Sequence, residues 1–215
     1  MRVQRFFPAC PALPALPALA VAFAITLGGC SSKPPDTRDY AARIAADRAA
    51  KDAAFQKDAD PVPENRKATL LPLAYFSIDP LYHVPASLQP TQDQTVIEMP
   101  TSTGTPRRMR RVGTLEFALK GQPLKLTSFV EVGAPNLDHL FVPFSDLTSG
   151  TETYPAGRYI DLERNATGIY ELDFNRAYHP YCYYNESFEC PYPPAENRLP
   201  LPVRAGERLK LEVKR

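Results

Sequence analysis

Leu115-Glu116-Phe117-Ala118-Leu119-Lys120-Gly121-Gln122-Pro123-Leu124-Lys125-Leu126-Thr127-Ser128-Phe129-Val130-Glu131-Val132 decides the fold class. Leu115, Phe117 and Leu119 alternate with Glu116, Ala118 and Lys120. After Gly121-Gln122-Pro123, the residues Leu124, Leu126, Ser128, Val130 and Val132 alternate with Lys125, Thr127, Phe129 and Glu131. Successive side chains of a strand point to opposite faces, so a period of two marks strands with one buried face. A short Gly-containing break between two such runs reads as a hairpin turn.

Working outward, the same pattern recurs. Leu140, Val142 and Phe144 share a face. Tyr170, Leu172 and Phe174 alternate with Ile169, Glu171, Asp173 and Asn175, and Leu209, Leu211 and Val213 alternate with Lys210, Glu212 and Lys214. Gly113, Gly133-Ala134-Pro135-Asn136, Asn165-Ala166-Thr167-Gly168 and Ala205-Gly206 bound these runs. Weaker strand signals cover 75–78, 82–88, 95–99 and 158–164. Short strands separated by turn residues predict a mainly β protein, with one antiparallel β-sandwich or barrel-like domain over 64–215. An N-terminal α-helix precedes it. Tyr40 to Lys57 holds Ala, Arg, Lys and Asp with no Gly or Pro, Asp36-Thr37-Arg38-Asp39 offers N-cap chemistry, and Asp60-Pro61-Val62-Pro63 stops the run. This places the helical segment at 38–59. Its apolar stripe is thin (Tyr40, Ile44, alanines and Phe55) and predicts a helix on the domain surface or a stalk.

The first thirty residues are of another kind. Arg2 and Arg5 precede an apolar stretch, continuous from Leu16 to Leu27, which ends in Leu27-Gly28-Gly29-Cys30. A positive start, a short apolar core and small residues before a cut form the secretory pattern. The apolar core is short of the roughly 20 residues that span a bilayer. Leu-Gly-Gly-Cys resembles a lipobox, which predicts removal of 1–29, diacylglycerol on the Cys30 thiol and a tether over 30–37. An ordinary signal peptide with an incidental Cys is the alternative. Several acyl chains on one residue make a stable membrane anchor. Ser31 rather than Asp after Cys30 resembles the outer-membrane sorting choice, so the expected location is the outer membrane, facing the periplasm.

Loss of Arg2 and Arg5 with the leader turns the net formal charge from +1 to −1. A near-neutral chain argues against nucleic acid as a partner. Arg107-Arg108-Met109-Arg110-Arg111 is the one basic cluster, read as a solvated edge or a headgroup contact. Once Cys10 is cut off and Cys30 lipidated, Cys182 and Cys190 remain, and an even pair at close spacing in an oxidising envelope predicts a disulfide.

Between Asp173 and Asn197 polar and aromatic residues crowd together, with five tyrosines from 178 to 192. Asp173, Asn175, Tyr178, His179, Glu196 and Asn197 are the candidate binding residues. Carboxylates and amides in one segment suit a small polar ligand or a hard cation. Equally, they suit the backbone of a Pro-rich loop that must place its hydrogen bonds somewhere. His179, Cys182, Cys190 and Asp173 form a zinc-like set, which the disulfide reading displaces. No metal or cofactor is expected. Nucleophile elbows, His-Glu-x-x-His and phosphate loops are missing from the sequence. The favoured function is a non-enzymatic binding or envelope-interaction module that recognises a small polar ligand or an envelope protein. A hydrolase or metal-dependent enzyme built on Asp173, His179 and Glu196 is one alternative, and a purely structural lipoprotein is another.

Two stretches carry a family resemblance. Phe144-Ser145-Asp146-Leu147-Thr148-Ser149-Gly150-Thr151-Glu152-Thr153-Tyr154-Pro155-Ala156-Gly157-Arg158-Tyr159 is the first; Asp173-Phe174-Asn175-Arg176-Ala177-Tyr178-His179-Pro180-Tyr181-Cys182 with Cys190-Pro191 and Glu196-Asn197 is the second. Together they resemble the bacterial and archaeal family named domain of unknown function 1684. His179 stands where that family more often has Asn. The resemblance implies a domain and no activity.

Overall fold

The alternating runs become seven strands in the computed structural model, which describes residues 39–58, 60–93 and 95–210. The leader, Cys30 with its tether, and residues 211–215 lie outside the described residues. The strands are β1 (His83–Pro90), β2 (Val96–Met99), β3 (Arg107–Leu119), β4 (Gln122–Glu131), β5 (His139–Phe144), β6 (Arg158–Glu163) and β7 (Ile169–Asp173). They form one sheet in the order β6-β5-β4-β3-β1-β7, with β2 also pairing to β3. Every strand pairing is antiparallel. Lys120 and Gly121 join β3 to β4 with φ of 51° and 77°. Two left-handed residues in a two-residue loop match the right-handed twist of the strands they connect. At the far end, Tyr159 of β6 exchanges backbone hydrogen bonds of 2.9 and 3.1 Å with Tyr178, just beyond β7. That contact nearly closes the sheet, and of sandwich and barrel the architecture is barrel-like.

Inside, the predicted faces meet. Leu115 and Leu119 of β3, Leu126 of β4, Leu140, Val142 and Phe144 of β5, and Leu172 of β7 are fully buried in one cluster. Leu199, Val203 and Ala205, from the irregular C-terminal segment, complete it. Each large apolar side chain so buried contributes about 1.5–3 kcal/mol relative to exposure. Gly157 has φ of 83°, and a Cβ there would collide with the Phe144 carbonyl, so only glycine lets the chain turn into β6 at this point.

The helix α1 spans Tyr40–Lys57, as its Gly- and Pro-free composition predicts. Asp39 is its N-cap residue, yet makes no side-chain capping bond. The helix docks on the barrel through more than its thin stripe. Tyr40 Oη donates to Asp173 at 2.8 Å, Arg48 donates to the carbonyls of Phe76 and Asn175, and Lys51 pairs with Glu207 at 2.6 Å. Asp52 accepts from the Leu73 N–H at 2.8 Å.

Several expectations change. A helix α2 (Glu64–Leu70) and a short helix α3 (Tyr181–Tyr184) were not predicted. The basic cluster is part of β3, where Arg107 meets Glu131 and Glu189 and Arg111 meets Glu196. Strand β7 stops at Asp173, and Phe174–Arg176 turns into a 3-10 helix because the Asp173 carboxylate accepts from the Asn175 N–H. Residues 75–78 form no strand: Tyr75 has a single bridge, to Glu207. Leu209 and Lys210 are not in a strand either; the Leu209 N–H reaches the Glu152 carbonyl with no continuing ladder.

Candidate functional site

The six predicted site residues do not converge. Asn197 is fully buried; its amide oxygen takes the Thr127 N–H at 2.7 Å and its nitrogen donates to the Thr127 and Pro143 carbonyls. It is a hydrogen-bonding plug between β4 and β5. Asn175 does the same for the segment before β1, accepting from the Asp79 N–H and donating to its carbonyl. Asp173 receives Tyr40, whose hydroxyl is held well above its ordinary pKa by burial and by that carboxylate. Glu196 lies at the surface against Arg111 at 2.9 Å. Buried polar groups require partners, and these side chains spend theirs on the fold.

His179 is 1 % exposed and belongs to a different cluster. Its Nε2 accepts from the Tyr154 N–H at 3.3 Å, and its Nδ1 faces Glu207 Oε2 at 3.7 Å. Burial pushes the imidazole down to about 4. Glu207 was not among the predicted residues. Burial opposes its ionisation, but Lys51, His179 and the Tyr184 hydroxyl outweigh this and hold the carboxyl below its ordinary value. Asp173, His179 and Glu196 therefore form no shared acid–base site. Among the described residues no group of three His, Cys, Asp or Glu side chains is arranged to hold a metal ion.

Cys182 and Cys190 adjoin as buried free thiols. The Cys182 N–H reaches Cys190 Sγ at 3.0 Å. A hydrogen bond between the thiols pulls Cys182 down to about 6 and pushes Cys190 up. Their loop is fastened to the turn between β2 and β3. Ser102 Oγ donates to the Phe188 carbonyl and accepts from the Cys190 N–H, while Thr103 Oγ1 donates to Glu189 at 2.9 Å.

That fastened loop walls a cavity of about 330 Å³. The sheet supplies the floor on the face opposite the main core. Met109 pairs with Glu131 and Phe141 pairs with Asp161 in the ladders, so these four share a face, with Arg107, His139 and Tyr159 two residues along. Tyr178, Tyr181, Phe188, Glu189 and Cys190 rise from the loop. Tyr178 is the one predicted binding residue that lines the cavity, and its hydroxyl donates to Asp161 at 2.5 Å. The sequence does hold a signal for this second face: Phe129, Phe141 and Tyr159 occupy outward positions where a solvated face carries polar residues.

The motif Phe144–Tyr159 has another use. Asp146 and Arg158 pair at 2.7 Å, each side chain 1 % exposed. Asp146 also accepts from the Thr148 N–H and hydroxyl, while Arg158 donates to the carbonyls of Val203, Ala205 and Glu207. This is a clamp on the C-terminal segment.

Fold and site define a small antiparallel barrel with a docked N-terminal helix, an internal ionic clamp and a loop-walled cavity on the sheet's outer face. The chain belongs to the family described as protein of unknown function (DUF1684), whose model matches residues 69–208. It is also similar to the solution NMR structure of an uncharacterized protein from gene locus rrnAC0354 of Haloarcula marismortui. The two are 36% identical with a TM-score of 0.64, over 82% of this chain and 98% of that chain. None of the curated proteins is similar to the chain.

Proposed function

We propose that this domain is a non-enzymatic binding module of the cell envelope, and that its site is the cavity between the outer sheet face and the Cys182–Cys190 loop. The observation that carries the reading is the cavity's make-up. Its volume lies at the lower end of the range for small-molecule sites, and its wall combines aromatic faces with a few convergent polar groups. Tyr181 and Phe188, packed edge to face at 5.4 Å, stand on the loop side with partial exposure, so truncating them opens the site without emptying the core. Native mass spectrometry of protein extracted from the envelope in detergent is expected to show a co-purifying small molecule that is lost from Tyr181→Ala/Phe188→Ala. A bare wild-type chain that also shows no thermal shift with any compound of a small-metabolite library would end the reading.

The location belongs to the same proposal. Cleavage before Cys30, lipid on its thiol and outer-membrane placement facing the periplasm would hold the module by its tether. Among the described residues no helix is long and apolar enough to cross a membrane. In an oxidising envelope Cys182 and Cys190 would transfer two electrons to a disulfide oxidant and close their loop. Intact mass is expected to equal the chain from Cys30 onward, plus acyl chains, less two hydrogens. An unmodified Cys30, or two alkylatable thiols in protein prepared without reductant, would refute the corresponding part.

A further inference from the structure

We infer that the cavity takes an organic cation with an apolar body, such as an alkyl or aryl ammonium. This rests on the cavity being a binding site and adds the class of ligand. Charge is the first argument. Glu131, Asp161 and Glu189 line the cavity with one guanidinium, Arg107, so three carboxylates against one guanidinium give a formal charge of −2 before His139 is counted. Arg107 is already committed: it meets Glu131 at 3.5 Å and Glu189 at 3.2 Å and donates to the Glu189 carbonyl at 3.0 Å. An anion would have to displace those carboxylates and then face Asp161. A cation meets no such conflict, because among the described residues Asp161 meets only the Tyr178 hydroxyl and His139, at 3.2 Å.

Ring geometry is the second argument. Phe141 and Tyr159 stand at 76° with centroids 4.6 Å apart, and Tyr159 and Tyr178 stand at 88° and 5.8 Å. Rings set at right angles form corners, and the negative face of an aromatic ring attracts a cation within about 6 Å. Tyr178 already serves this way toward the helix, where Lys51 Nζ lies 4.9 Å from its centroid. Lys51 does not line the cavity.

The test is calorimetric titration of the full protein with benzyltrimethylammonium and with its neutral isostere neopentylbenzene, which differs by carbon in place of nitrogen. The cation is expected to bind about tenfold more tightly than the isostere. Asp161→Asn is expected to remove most of that difference. Glu131→Gln, at the opposite rim, is the second variant should Asp161→Asn unfold. Equal affinity for both probes, with both lost from Tyr181→Ala/Phe188→Ala, would overturn the cationic class and keep the binding site. No binding of either probe would likewise overturn the cationic class, and the binding site would then stand or fall by the mass spectrum and the metabolite library.

Discussion

Arg158→Met is expected to cost the domain about 3–5 kcal/mol, the cost of removing one partner from a buried ion pair. Asp146 would keep its Thr148 bonds but lose the guanidinium paired with it at 1 % exposure. The carbonyls of Val203, Ala205 and Glu207 would lose their donor as well. A domain of this size has roughly 5–15 kcal/mol in all, so the variant would lie at the edge of folding. Arg158→Lys would not rescue it, since one ammonium cannot spread over a carboxylate and three carbonyls as a planar guanidinium does. Asp146→Asn combined with Arg158→Met is expected to cost less than the two single losses together, because the stranded charge is gone. Urea unfolding followed by circular dichroism measures all of these. A loss below about 1 kcal/mol for Arg158→Met would mean the pair adds nothing beyond a surface bridge.

The clamp also shows where sequence reading works and where it stops. Period-two alternation found β3, β4 and β5 because one face of each strand is apolar. It also suggested a strand from Leu209 to Val213, of which only Leu209 and Lys210 are among the described residues, and those two are not in a strand. The first half of β3 was hidden by its arginines, of which Arg107 and Arg111 balance carboxylates brought from 131, 189 and 196 by the fold. Helix α1 was legible in extent but not in docking. Ile44, Asp47, Arg48, Lys51, Asp52 and Phe55 are spaced by threes and fours, so they share one face. Counting only apolar residues made that face look thin, whereas Arg48, Lys51 and Asp52 also attach it through hydrogen bonds and an ion pair.

For the candidate site, composition pointed to a segment that walls the cavity, and of the six residues it named only Tyr178 lines it. Asp173, Asn175 and Asn197 are polar residues of the kind that bind ligands, but the two amides are matched to backbone groups far away in sequence, and Asp173 to the Asn175 N–H and the Tyr40 hydroxyl. Such matching depends on the closed barrel, which no local pattern reveals. The cavity is assembled from β3, β4, β5, β6, the connection between β4 and β5 that carries Ala134 and Asn136, and the segment 178–191. Its acidic and aromatic lining residues are ordinary surface types until register places them on a common face.

His179 carries the second large effect, in the pH dependence of stability. In the native state its Nε2 accepts the Tyr154 N–H, which requires an unprotonated nitrogen. Burial lowers its pKa from 6.5 to about 4; Glu207 pulls the other way, and Arg158 and Lys51 add to the lowering. Between those two values the unfolded chain binds a proton that the native chain refuses. Stability therefore falls as pH drops through this window and levels off, for this residue, below about 4. A difference of that size is worth roughly 3 kcal/mol. Glu207 acts lower down: with its carboxyl held below the ordinary value, its contribution is present above the unfolded carboxyl range and is lost on further acidification. His179→Asn separates the two. Asn can accept the same N–H and does not titrate, so the variant is expected to match wild type near neutrality within about 1 kcal/mol. It should then become the more stable protein as pH approaches 4. Urea midpoints of both proteins across that range decide the matter. Parallel curves would show that the imidazole titrates alike in the folded and unfolded chains, and would remove His179 as the source of acid sensitivity.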